Sequence, residues 1–252
     1  VVSDGAISTH GPVDHVFALA SVTKMLVAFA TLIAVEEGSI ALDDPAGPEG
    51  STVRHLLAHA SGLGPDGAVP LARPGARRIY SNAGFEVLGA TLAAATGIAT
   101  TEYVHEAVCM PLGMDSTRLE GSPASGAMST VRDLAAFASE LLTPALVSRA
   151  TLISASRVAF AGVDGVLPGF GQQSPNDWGL GFEVRDAKHP HWTGTTNSAA
   201  TFGHFGQTGT MLWIDPVAHV GLVCLTDRPF GPWAAAAWPE LSDAVVAHAS
   251  AR

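Results

Sequence analysis

Ser21 and Lys24 stand three residues apart in Ser21-Val22-Thr23-Lys24, just ahead of a long apolar stretch. On a helix, positions i and i+3 share a face, so the hydroxyl and the amine can reach each other. Burial disfavours an ammonium, so a lysine placed there can be neutral and accept the serine proton. The helix N-terminus stabilises negative charge developing on the serine oxygen. This is the chemistry of an activated nucleophile. The plain alternative is an N-cap serine beside a snorkelling lysine. With nineteen serines and two lysines in 252 residues, a chance Ser-x-x-Lys is expected roughly once in seven such sequences. Lysine is the informative rarity, because eleven of the thirteen basic residues are arginine. A retained lysine is a candidate for a group that must lose its proton. The second lysine, Lys188, lies in no motif and is expected to be an ordinary cation that arginine can replace.

Tyr80-Ser81-Asn82 sits between a Gly/Pro-rich loop and a helical pattern. A tyrosine there can exchange protons with a leaving group, and an asparagine amide can hold a substrate carbonyl. The plain reading is a turn followed by an N-cap, although Tyr-x-Asn arises by chance only about once in forty such sequences. A third motif, His204-Phe205-Gly206-Gln207-Thr208-Gly209-Thr210, precedes a strand pattern. Its glycines allow a substrate backbone to approach a strand edge, and a backbone N–H there can donate to an oxyanion. Its plain reading is a Gly-rich hairpin with a structural histidine.

The elements that must position these motifs are legible from periodicity. Residues 1–20 read as β, with Asp4-Gly5 as a hairpin turn and Val16–Leu19 as a strand. From Ser21 the spacing of Val22, Met25, Leu26, Phe29, Leu32 and Ile33 predicts a helix, apolar nearly all round and therefore central, stopped by Gly38. A short helix follows from Thr52 as N-cap to Gly62. Further helices are expected at about 82–95, stopped by Gly97, at about 100–109, and from Ser129-Thr130 to Leu142 with Asp133 at capping-box distance. Pro144 opens another. After Ala161 the texture turns to β: Trp178–Val184, Met211–Ile214 and Val220–Leu225 read as strands, the last two joined at Asp215-Pro216. A terminal helix spans about 233–249. Strands at both ends and helices between predict an α/β (α+β) fold, a single unit over 1–252. Its antiparallel sheet is built from both termini and flanked by helices, with an all-helical lobe at about 40–160 inserted.

In this order and spacing the three motifs resemble the serine β-lactamase-like superfamily, and most closely its class C β-lactamase, D-alanyl-D-alanine carboxypeptidase and family VIII carboxylesterase branches. Ala18-Leu19-Ala20 before the serine, HLLAHASGL at 55–63, YSNAGFEVLG at 80–89, PLGMDSTRL at 111–119, WGLGF at 178–182 and GHFGQTGTMLWIDP at 203–216 carry the likeness across nearly the whole chain. The resemblance implies a β-lactamase/transpeptidase-like fold with the site between two lobes. It implies Ser21 as the acylated nucleophile, Lys24 as its activator and Tyr80 as a second proton-transfer residue. Asn82, His204, Gly206 and Gln207 are then the substrate-binding residues, with the Ser21 and Gln207 amides forming the oxyanion hole. The sequence departs from the family where His-Phe-Gly replaces Lys-Thr-Gly, removing a cation and a hydroxyl that would grip a β-lactam carboxylate. The stretch between Ser21 and Tyr80 is compact, and the helix usual before the first strand is missing from the sequence as it stands.

Composition fits this reading. Hydrophobic residues make up 47% and charged residues 14%, so the chain can bury a core and is not disordered. A net charge of −10 argues against nucleic acid as a partner, and the apolar run Met25–Val35 is too short for a membrane span. Cys109 and Cys224 make no disulfide framework and are expected as buried thiols in a reducing, cytoplasmic setting; the sequence opens on Val1 rather than Met, which leaves an upstream segment open. The pairs His55/His59 and His189/His191 offer no His-Glu-x-x-His, so neither metal nor other cofactor is expected. The expected activity is that of a serine hydrolase acting through an acyl-enzyme on small esters or related acyl compounds, its partner a small-molecule ester, amide or lactam; the alternative is a β-lactamase or D-alanyl-D-alanine carboxypeptidase/penicillin-binding protein, and a non-catalytic penicillin-binding sensor is a further one.

Overall fold

The computed structural model describes residues 1–3 and 5–251. In chain order the strands are β1 (Val2–Ser3), β2 (Ala6–Ile7), β3 (Phe17–Ala18), β4 (Arg118–Leu119), β5 (Ala127–Ser129), β6 (Gly165–Leu167), β7 (Gly171–Gln173), β8 (Glu183–Val184), β9 (Phe202–Gly206), β10 (Thr210–Asp215) and β11 (Val220–Cys224). The helices are α1 (Thr23–Glu36), α2 (Val53–Leu57), α3 (Asn82–Thr96), α4 (Thr100–Val104), α5 (Val131–Leu142), α6 (Arg149–Ala155) and α7 (Pro232–Ser250). A 3-10 turn, Ala20–Val22, leads into α1, and a π-helical turn, His105–Cys109, continues α4.

Both ends of the chain meet in one antiparallel sheet of order β2-β1-β11-β10-β9-β8, as expected. Val2 pairs with Gly221, and Trp213 with Leu222. Every residue of β10 is buried, and alternation divides them between two cores. Leu212 and Ile214 join the cluster of α1 and α5, whereas Met211 and Trp213 join that of α7. Trp213 also donates its indole N–H to Ser242 of α7 at 3.1 Å.

Helix α1 runs through the molecule with every residue from Thr23 to Ala34 buried. Its small and apolar residues satisfy their backbone internally, and Thr31 returns its hydroxyl to the Val27 carbonyl at 2.8 Å. The chain leaves after Glu36 through Gly38 at φ +77°, the left-handed conformation that glycine tolerates.

Several expectations are corrected. Phe17–Ala18 does not join the main sheet; it pairs with β5 in a small sheet of order β3-β5-β4. The middle of the chain is therefore not all-helical, since β4 and β5 lie within it. Trp178–Phe182 is a turn, and only Glu183–Val184 forms a strand. Gly181 at φ +87° lies so close to α1 that a Cβ there would sit 2.0 Å from the Ala28 methyl, and one at Gly179 would sit 2.1 Å from the Ala155 carbonyl. That close packing replaces a ladder. Pro144 opens no helix. The amides of Ala145 and Leu146 donate to the Glu140 carboxylate instead, at 2.9 and 2.7 Å, and α6 begins after Ser148, which caps it. Thr52 holds the N-cap position of α2, as expected, but its hydroxyl makes no cap bond and lies 2.9 Å from His55 Nδ1 instead. β1 and β2 pair antiparallel, but Asp4 of the expected Asp-Gly turn lies outside the described residues.

Candidate active site

Ser21 occupies the 3-10 turn ahead of α1. Ala20 before it has φ +45°, an uncommon conformation for a residue with a side chain. The turn is gripped from the far end of the sequence. Thr210 donates its hydroxyl to the Leu19 carbonyl at 2.9 Å, and Thr208 to that of Ala18 at 2.6 Å. A Cβ on Gly206 would sit 2.3 Å from the Leu19 carbonyl and 2.5 Å from Thr210 Oγ1. Glycine at 206 thus serves the packing of the strand against the Ser21 turn, a different reason from the substrate approach inferred from sequence.

Tyr80 reaches the serine from the end of a loop held by Arg78. The Arg78 guanidinium is buried and donates to the carbonyls of Asn176, Ala58, Ala159 and Phe160. Two residues on, the Tyr80 hydroxyl donates to Ser21 Oγ at 2.7 Å. Ser81 caps α3, accepting from the Gly84 amide at 2.9 Å and donating to the Gly64 carbonyl at 2.6 Å. The cap is therefore Ser81, and the Asn82 side chain is free for other contacts.

Lys24 is fully buried. Its Nζ lies 3.3 Å from Ser21 Oγ, 2.8 Å from Asn82 Oδ1 and 2.8 Å from the Ala124 carbonyl. Burial brings its pKa down to about 7, against the opposing pull of Asp66 and Glu86. A neutral amine has two N–H groups and one lone pair. With the N–H groups on Asn82 and Ala124, the lone pair faces Ser21. Burial raises the Tyr80 phenol well above its ordinary range, the hydrogen bond to Ser21 notwithstanding, so it is a proton donor at neutral pH.

His204 is buried on β9 and donates Nδ1–H to the Phe205 carbonyl at 2.7 Å. Burial, then the nearby Lys24, lowers its pKa to about 3. The ring is therefore neutral, with Nε2 as an acceptor that no group among the described residues meets. Ser21, Tyr80, Asn82, His204, Phe205 and Gln207 line a cleft of about 220 Å³, closed by Leu167, Pro168, Trp178 and Glu183. The structure thus brings together the serine, lysine, tyrosine, asparagine, histidine and glutamine singled out from sequence.

Four contributors escaped the sequence reading. Trp178 packs against Tyr80, His204 and His59; only its place in WGLGF signalled it. His59 accepts the Ser81 amide N–H on Nδ1 at 3.1 Å and lies 4.6 Å, centroid to centroid, from Tyr80. It falls beyond the end of α2 at φ +52°, so it makes no helical pair with His55, whose ring lies on Phe160. Glu183 is buried among Lys188, His191 and the Trp192 indole. Burial would raise its pKa, but Lys188 and His191 carry it far below the carboxylate range. Lys188 is thus no ordinary cation, since it is itself buried and donates to Glu183 at 2.9 Å and to the Asp177 carbonyl at 2.6 Å. No sequence signal marked this ion pair. Asp66, the fourth, accepts from Asn82 Nδ2 at 2.8 Å.

A sheet closed by both termini, a buried central helix led by the serine and a cleft at its mouth constitute the β-lactamase/transpeptidase-like fold. A model of the Beta-lactamase family matches residues 6–247, and the chain belongs to that family of serine hydrolases. It is 58% identical to a β-lactamase from Mycobacterium bovis of known crystal structure, with a TM-score of 0.95 over 96% of this chain and 90% of that one. EstCE1, a hydrolase with promiscuous acyltransferase activity, shares the fold at TM-score 0.77 and 20% identity over 93% of this chain and 86% of its own. A candidate D-alanyl-D-alanine carboxypeptidase from Escherichia coli O157:H7 is 26% identical over 213 residues, 64% of this chain and 47% of the relative. The chain spans about half the length of the curated relatives it matches. Among the described residues no single helix is long and apolar enough to cross a membrane.

Proposed function

We propose that the chain hydrolyses small uncharged esters through an acyl-enzyme on Ser21. The observation that carries this reading is the convergence of Tyr80 Oη at 2.7 Å and Lys24 Nζ at 3.3 Å on Ser21 Oγ. Neutral Lys24 takes the hydroxyl proton as Oγ attacks the ester carbonyl, and the Ser21 and Gln207 amides receive the charge developing on the carbonyl oxygen. As the carbon–oxygen bond of the ester breaks, the proton held by Lys24 passes to the departing alkoxide, with the Tyr80 phenol as relay. Water then adds to the acyl-serine by the reverse of these transfers, releasing the acid and restoring the Ser21 hydroxyl. Asn82, His204 and the Gly206-Gln207 backbone bind the substrate.

His204 supports esters over β-lactams. A neutral ring presenting a lone pair repels the carboxylate that a lysine would hold. The second reading, β-lactam hydrolysis, draws support from the 58% identity to the Mycobacterium bovis β-lactamase. Parallel assays with a chromogenic short-chain ester and a chromogenic cephalosporin separate the two. Ester turnover that Ser21→Ala abolishes, in a protein with an unchanged melt, is the expected result. Cephalosporin turnover without ester turnover replaces the first reading by the second, and activity retained in clean Ser21→Ala overturns both.

A further inference from the structure

The two acceptors that hold Lys24, Asn82 Oδ1 and the Ala124 carbonyl, are each tied to a carboxylate outside the cleft. Asn82 Nδ2 donates to Asp66 Oδ1 at 2.8 Å. On the other arm the Ala124 amide donates to Ser122 Oγ at 3.1 Å, and the Ser122 hydroxyl donates to the Glu86 carboxylate. Asp66 and Glu86 line a neighbouring depression of about 810 Å³ that meets the catalytic cleft at Asn82. We propose that Asp66 and Glu86 are positioning residues, each fixing one acceptor of the Lys24 amine so that its lone pair faces Ser21: Asp66 through Asn82, and Glu86 through Ser122 and Ala124.

The hydrogen-bond logic on the Asn82 arm has one solution. A carboxylate only accepts, so the amide must turn its NH2 to Asp66 and thereby its oxygen to Lys24. The flipped amide would set oxygen against carboxylate and N–H against N–H. On the second arm the serine hydroxyl must give its hydrogen to Glu86, which leaves its lone pairs for the Ala124 amide. Both carboxylates also favour the ammonium form of Lys24, opposing the burial that disfavours it. The other groups facing the amine are the Tyr80 and Phe85 rings and His59 and His204, whose pKa values burial, and after it Lys24, depress; both histidines are neutral at pH 7. Asp66 and Glu86 are therefore the negative groups that act on Lys24 from outside the cleft.

This inference rests on Lys24 being the proton acceptor, and the test separates the two claims. The chain has only two lysines, so carbon-13 labelling of lysine gives two side-chain resonances, with that of Lys24 assigned by its loss in Lys24→Met. Its titration is followed in wild type, Asp66→Asn and Glu86→Gln, which keep hydrogen-bonding shape and remove charge. Each substitution is expected to lower the Lys24 midpoint by about half a pH unit, the double variant by more. The acidic limb of fluorophosphonate labelling of Ser21 should move in the same direction. A merely structural role would lower labelling at every pH and leave the midpoint in place. An unmoved midpoint in both folded variants overturns the proposal, and a shift in one alone removes the other carboxylate from it. Failure of wild-type Ser21 to label overturns the nucleophile assignment instead, while the titration still decides the role of the carboxylates.

Discussion

Replacing Lys24 by arginine separates a base from a cation. Fully buried, Lys24 is brought from 10.5 to about 7, a difference of about 5 kcal/mol between its two protonation states. At pH 7 a lysine titrating at its ordinary value would be neutral in only ~3 in 10⁴ molecules, whereas one titrating near 7 is neutral in about half, a gain of roughly 1,500-fold in competent base. Arginine stays protonated at any working pH and recovers none of this. Lys24→Arg and Lys24→Met should therefore both slow acylation by about 10²–10⁴-fold. Wild type should show an acidic limb near pH 7 falling about tenfold per pH unit below it. The assay is single-turnover acylation by a chromogenic ester between pH 5 and 9, with each variant first shown folded by thermal melting. Near-normal acylation in folded Lys24→Arg, or a wild-type rate flat across that range, would refute the assignment.

Tyr80→Phe removes the donor to Ser21 and should cost about 10²-fold in acylation while shifting stability by only about 1 kcal/mol; a wild-type rate would exclude Tyr80 from proton transfer. Lys188→Met leaves the Glu183 charge buried without its cation and should destabilise by about 3–5 kcal/mol in urea unfolding. Lys188→Arg should also be destabilised, because a planar guanidinium cannot reproduce the contacts of an ammonium in that space; an unchanged urea midpoint in both would show the pair to be dispensable. His204 titrates near 3 when folded and near 6.5 when unfolded. Its contribution is complete above pH 6.5 and is lost as pH falls from 6.5 towards 3, at about 1.4 kcal/mol per pH unit. His59 and His191, and more weakly the half-exposed His55, are depressed in the same direction by burial and add to that slope. Urea unfolding at pH 7, 6 and 5 should show it, and His204→Gln should remove its own share, about 1.4 kcal/mol per pH unit below 6.5. An equal slope in that variant would mean that the histidine is not buried neutral.

The sequence by itself determined the central helix, the terminal strands and the Ser-Lys, Tyr-Asn and His-x-Gly motifs, because these depend on short-range spacing. A 3.6-residue period from Val22 to Ile33 makes a helix wherever it lies, and a serine in the turn just ahead of it meets the lysine of its first turn three residues on. Tertiary structure decided what depends on neighbours distant in the chain. Trp178–Phe182 reads as a strand, but Gly179 and Gly181 let it turn tightly against α6 and α1, and no local propensity encodes that packing. Phe17–Ala18 is extended in either view; its partner β5 lies more than a hundred residues away. Lys24 and Lys188 are the same residue type, yet one packs beside an amide and a carbonyl with its lone pair open, and the other against a buried carboxylate. That difference comes from desolvation and from which charges the fold gathers around each amine.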